Sequence, residues 1–77
     1  MIIKILGSGC SNCAKLASHA QDAVDMLNLE ATIKKVTDMQ EIMAYNILRT
    51  PAMVVDGKVL FSGQVLSAEK IAELLSQ

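Results

Sequence analysis

Tryptophan is absent from the chain, and phenylalanine, tyrosine, histidine and proline each occur once. Two aromatic rings, Tyr45 and Phe61, are too few for a surface on which bases stack. A formal net charge of −1 leaves no basic footprint for nucleic acid or an anionic bilayer. No apolar run approaches the length of about twenty residues that spans a membrane, and the opening MIIKILG is too short for a signal peptide. The expected location is therefore the cytoplasm, where structural disulfides are rare. Four Cys or His ligands are the usual requirement of a closed zinc site, and two cysteines with one histidine supply it poorly.

What the chain does have is aliphatic carbon. Of its 77 residues 52% are apolar, so Ile, Leu, Val, Met and Ala must build the core of one domain over residues 1–77. Such a composition argues against disorder. Both cysteines fall within SGCSNC, residues 8–13. They could be a clamp, a ligand pair or a redox couple. A cross-link closing so short a loop removes little entropy from the unfolded chain, which weakens the clamp. Two thiolates could hold a soft ion such as Cu(I), so that reading stays open.

Periodicity supplies the frame. Ile2 to Leu6 is a short buried strand that ends at Gly7-Ser8-Gly9. From Cys13 to about Leu27 the period is helical, with Cys13, Leu16, Ala17, Ala20, Val24 and Leu27 on one stripe and Asn28 as a left-handed cap. Glu30 to Val36 reads as a second strand, its Lys34 and Lys35 suited to an edge. Asp38 and Glu41 resemble a capping box for a short helix through Tyr45, ended by Asn46. AMVV and KVLF flank Asp56-Gly57 as a hairpin, and Gly63 allows a bend or bulge after it. Ser67 caps a last helix whose Ala68, Ile71, Ala72 and Leu75 share a face.

The result is an α/β chain of order β-α-β-α-β-β-α. A strand-helix-strand start implies parallel pairing through a right-handed crossover, and the hairpin pairs its strands antiparallel. If the first hairpin strand runs antiparallel beside the first strand of the chain, Thr50-Pro51 comes to lie next to Cys10 and Cys13.

Those residues carry a family resemblance. GSGCSNC after an apolar strand resembles the active-site entry of glutaredoxins and small archaeal-type thioredoxins. YNILRTPAMVVDGKVLFSG resembles the second thioredoxin signature: a proline, a strand, a Gly-containing turn, a strand and a glycine. The chain thus resembles a minimal thioredoxin, which implies a four-stranded mixed sheet flanked by three helices. It implies a dithiol-disulfide oxidoreductase that reduces protein disulfides, a monomer with no tightly bound cofactor, since the thiol pair stores both electrons. It further implies disulfide-containing target proteins and a flavin-dependent disulfide reductase as electron donor, with no nucleic-acid or membrane partner. Pro51 is expected by resemblance to be cis, and Gly9, Ser11, Asn12, Thr50, Pro51 and Gly63 to contact substrate.

Within such a site the roles divide by position. Cys10 precedes the first helical turn, where free N–H groups and the positive dipole end favour a thiolate, and is the expected nucleophile. Cys13 opens the apolar stripe and is the expected resolving thiol, although a small core residue would look the same. His19 reads as a solvated surface histidine, and the five methionines as core filler, with Met39 and Met43 alternatively forming a soft contact surface.

The departures are specific. Larger thioredoxins carry Trp before the first cysteine, Gly-Pro between the pair and a buried acid six residues upstream, where this chain has Gly9, Ser11-Asn12 and Lys4. Lys4 either stabilises a thiolate or runs along the sheet to solvent. Arg49-Thr50-Pro51 and Gly63-Gln64 match the glutathione-binding segments of glutaredoxins only in part, leaving a glutathione-linked glutaredoxin as the enzymatic alternative. Heavy-metal-associated domains share the early CxxC, but usually have Met where this chain has Ser8, and they do not end in a helix after a hairpin. A copper carrier is the alternative of another class, and a binding module with an incidental thiol pair a third.

Overall fold

The computed structural model describes residues 1–7 and 11–76. Seven elements follow in the order β1 (Ile2–Leu6), α1 (Ser11–Leu27), β2 (Thr32–Val36), α2 (Met39–Ala44), β3 (Ala52–Val55), β4 (Lys58–Ser62) and α3 (Ala68–Leu75). The strands form one sheet in the order β2-β1-β3-β4. β1 runs parallel to β2, with Ile3 opposite Ile33, and antiparallel to β3, with Ile5 opposite Met53. This is the α/β, thioredoxin-like architecture that the pattern implies.

Alternation along β1 splits the core in two. Ile3 and Ile5 point to one face, where they meet Leu16, Ala20, Ala23 and Val24 of α1 and Ile71 and Ala72 of α3. Leu6 points to the other, with Val36, Ala52, Val54 and Ile42 of α2. A strand buried on both faces needs its near-continuous run of apolar residues. Only Lys4 interrupts that run in β1.

Local chemistry fixes the ends. Ser67 Oγ accepts from the Lys70 N–H, and Asp38 Oδ1 accepts from the Gln40 N–H, so each caps a helix. The Asp38–Glu41 box is only half made, because the Glu41 carboxylate pairs with Lys4 instead. Asn28 (φ 53°) and Asn46 (φ 57°) take the left-handed conformation after α1 and α2. At the hairpin tip Asp56 (φ 48°) and Gly57 (φ 86°) both have positive φ, as a type I′ turn requires. Asp56 also reaches back to β1: its N–H donates to Ile2 O at 2.9 Å, and its Oδ1 accepts from the Ile2 N–H at 2.8 Å.

Several expectations change. α1 begins at Ser11, not Cys13, and β2 begins at Thr32, not Glu30. Gly63 makes the bend expected of it, with φ 75°, and the β3–β4 ladder holds a bulge of its own: Met53 faces Phe61 while Val54 faces Val59, leaving Leu60 as the extra residue. Ala23, outside the predicted stripe, is fully buried where α1 packs between sheet and α3. Of the methionines only Met53 is core, while Met1, Met26, Met39 and Met43 are exposed, because the sheet and helices bury one stripe of each helix and no more.

Candidate active site

β1 ends on Leu6, and Gly7 extends its ladder by one rung through an N–H bond to Val36 O at 2.9 Å. Gly7 is buried, and it has to be small. The place that a Cβ would occupy on Gly7 is taken by Cys13 Sγ, with Thr50 Cβ 3.9 Å from the same point. Three residues far apart in sequence therefore converge: the end of β1, the third residue of α1 and the residue before β3's leading proline. Cys13 is 7% exposed, as expected of the thiol that opens the buried stripe.

Thr50 is exposed and Pro51 buried, and the peptide bond between them is cis. Gly63 follows β4 with φ 75°, and its N–H donates to Pro51 O at 2.9 Å. Gly63 thus ties the end of the hairpin to the start of β3. Ser11 and Asn12 are exposed on the first turn of α1. Cys10 and Gly9 lie outside the described residues.

Two further residues join the site without a role that the sequence assigns them. Arg49 lays its stem over Gly63, such that a Cβ there would stand 3.0 Å from Arg49 Cβ and 3.3 Å from its Cδ. Gly7 carried a signal only in retrospect, as the small residue where a buried strand meets the cysteine loop.

Lys4 runs along the sheet to a part-exposed position, where its tip finds partners. Its Nζ donates to Tyr45 Oη at 3.4 Å and lies 3.6 Å from Glu41 Oε2, so it is engaged by α2 and the residue that ends it. The bond to Tyr45 and then the Tyr45 charge raise its pKa above the ordinary lysine value; desolvation opposes them, and Glu41 adds a lesser rise. His19 is corrected: it is part-buried, with Nδ1 2.8 Å from Leu66 O, so its Nδ1–H donates across from α1 to the segment before α3. Its partner is 47 residues away in sequence, which no local pattern could supply.

Among the described residues no cluster of three or more His, Cys, Asp or Glu is arranged as a metal site, and no helix is long and apolar enough to cross a membrane.

Sequence comparison agrees with the geometry. Residues 1–76 match the sequence model of the thioredoxin domain family. A protein named thioredoxin from Methanothermobacter thermautotrophicus is 37% identical over 76 residues, spanning 99% of both chains. Another so named, from Methanocaldococcus jannaschii, is 36% identical over 75 residues, spanning 97% of this chain and 86% of its own.

Proposed function

The chain belongs to the thioredoxin family, and from that premise we propose that it reduces disulfides of target proteins through a Cys10–Cys13 dithiol couple. The observation that supports this reading is the convergence of Gly7, Cys13 and Thr50. A sulfur held in a buried slot beside the exposed Thr50 can resolve a bond formed next to it, while being screened from direct attack.

The chemistry is thiol–disulfide exchange. Cys10, as thiolate, attacks one sulfur of the substrate disulfide, forming a mixed disulfide and releasing the first substrate thiol. Cys13 then attacks Cys10 Sγ, releases the second thiol and closes the intramolecular disulfide. Two electrons pass to substrate, and the two protons of the dithiol leave with the product thiols or to solvent. Thr50 and Pro51 give the substrate chain an edge to lie against, with Gly9, Ser11, Asn12 and Gly63 around it. A flavin-dependent disulfide reductase returns the electrons, and the protein works as a cytoplasmic monomer.

The test is equilibration of the protein in graded reduced and oxidised dithiol buffers, followed by alkylation and peptide mapping. The expected result is one two-electron transition that protects Cys10 and Cys13 together. Thiols that stay alkylatable across the whole range would refute the couple. As a second arm, Cys13→Ser should accumulate reducible adducts with protein substrates, and Cys10→Ser should not; equal trapping would refute the assigned roles.

A further inference from the structure

Beside Thr50 a groove of about 220 Å³ opens between α2 and the segment that leads into β3. Met39 and Met43, one turn apart on α2, form one wall, and Leu48, Arg49 and Thr50 form the other. These are large apolar side chains left in water: Met39 is 61% exposed, Met43 66% and Leu48 98%. Methionine is the side chain best able to remould around varied apolar partners.

The charges around the groove are sorted. The acids of α2 are engaged elsewhere, Asp38 by the Gln40 N–H and Glu41 by Lys4. Arg49 is the only charged residue lining the groove, and it has no ion-pair partner among the described residues. Its stem lies over Gly63, and the residue is exposed to whatever enters the groove. The groove is therefore apolar along α2 and positive where it nears the cysteine slot, since Thr50 borders both.

We propose that this groove selects among protein disulfides, receiving a substrate segment with a large apolar residue and an acidic residue close to the reacting cysteine. The apolar side chain lies between Met39, Met43 and Leu48, and the carboxylate meets Arg49. The inference rests on the reading of Thr50-Pro51 as the substrate edge. It adds a rule of choice that the thiol pair alone does not contain. Charge complementarity of this kind acts on specificity and on the encounter rate more than on total affinity.

Single-turnover reduction of short peptides tests it. Each peptide carries one cysteine in a mixed disulfide with mercaptoethanol, flanked by Phe and Glu, by Phe and Lys, or by Ser and Gln. The pre-reduced protein supplies both electrons, and the products are peptide thiol, mercaptoethanol and the oxidised protein, separated by reversed-phase chromatography. The Phe–Glu peptide should react roughly fivefold faster than the Phe–Lys peptide, the scale of an exposed charge pair. Arg49→Glu should invert that ratio, an outcome that loss of folding cannot imitate. Met43→Ser should narrow the gap between the Phe–Glu and Ser–Gln peptides.

Equal rates for the Phe–Glu and Phe–Lys peptides would overturn the selection rule while leaving disulfide reduction standing. Failure to reduce any peptide would overturn the redox reading, and the rule with it. A glutathione–mercaptoethanol disulfide reduced faster than the Phe–Glu peptide would make glutathione the occupant and overturn the proposal. Dimerisation in sedimentation that Arg49→Glu abolishes would make a second copy the occupant, with the same consequence.

Discussion

On one side of the sheet Ile3, Ile5, Met53 and Phe61 meet two helices, and on the other Leu6, Ala52 and Val54 meet one helix of six residues. The first face closes completely, with Leu16, Ala20, Ala23 and Ile71 at zero exposure. The second buries Leu6, Ala52 and Val54 as fully beneath Ile42, but under one short helix, and beside it stand an exposed methionine pair and a lysine tethered at the tip. Depth and chemistry are thus divided between the faces. The two-helix face holds the scaffold and the root of Cys13, while the one-helix face leaves material over for contact with other molecules.

Matched truncations should expose that division most strongly. Burial of an isoleucine followed by its removal to alanine costs about 2–5 kcal/mol, and the value depends on how far the surroundings can collapse. Ile5→Ala, between β1's neighbours and two helices, should fall near the upper end. Ile42→Ala, under a short helix free to settle, should fall near the lower end. Urea unfolding of both variants measures this, and equal losses would mean that α2 is anchored as firmly as α1 and α3.

A smaller effect is expected at the seam between scaffold and site. Gly7→Ala adds one carbon where Cys13 Sγ sits. Overpacking of this kind costs about 1–3 kcal/mol. The unfolding midpoint should drop and closure of the proposed Cys10–Cys13 disulfide should slow, because the sulfur must move. A variant with wild-type midpoint and wild-type closure rate would show that the slot does not position the thiol.

The smallest effect belongs to Lys4 on the open face. Its folded pKa is raised above its unfolded value, so the stability it adds is fully present below the unfolded pKa, near 10.5, and is lost as pH rises through the higher folded value. Lys4→Met should therefore differ from wild type in stability at neutral pH by a small amount, and the difference should shrink as pH rises past that window. A difference that persists unchanged at high pH would assign it to packing of the aliphatic stem instead.

Legibility in the sequence followed the same division. Ile2–Leu6, the Asp56-Gly57 turn and Ser67 announce their structure through neighbours in sequence, and the topology then follows from handedness and pairing. The buried Cys13 was readable because it shares a helical period with Leu16 and Ala20. What could not be read depends on distant partners. His19 looks solvated until Leu66 arrives, Lys4 has no sequence neighbour that predicts Tyr45 and Glu41, and Arg49 meets Gly63 across the hairpin. The exposed methionines were misread for a related reason: apolar composition says that a residue suits a core, not that the fold has core left to give it.

The clasp of Asp56 on Ile2 joins residues 54 positions apart. β1, the strand from which the cysteine loop departs, obtains its second neighbour only when β3 is in place. A chain emerging from the ribosome consequently presents Cys13 long before Thr50 and the hairpin exist to flank it. Pairings of such long range are also slow to form, since the loop entropy is lost before the contacts reward it. That interval is a period of chemical vulnerability, when Cys13 can be oxidised or captured from any direction. Gly7 is already there to back the sulfur, but the side of its shelter that Thr50 forms waits for the second half of the chain.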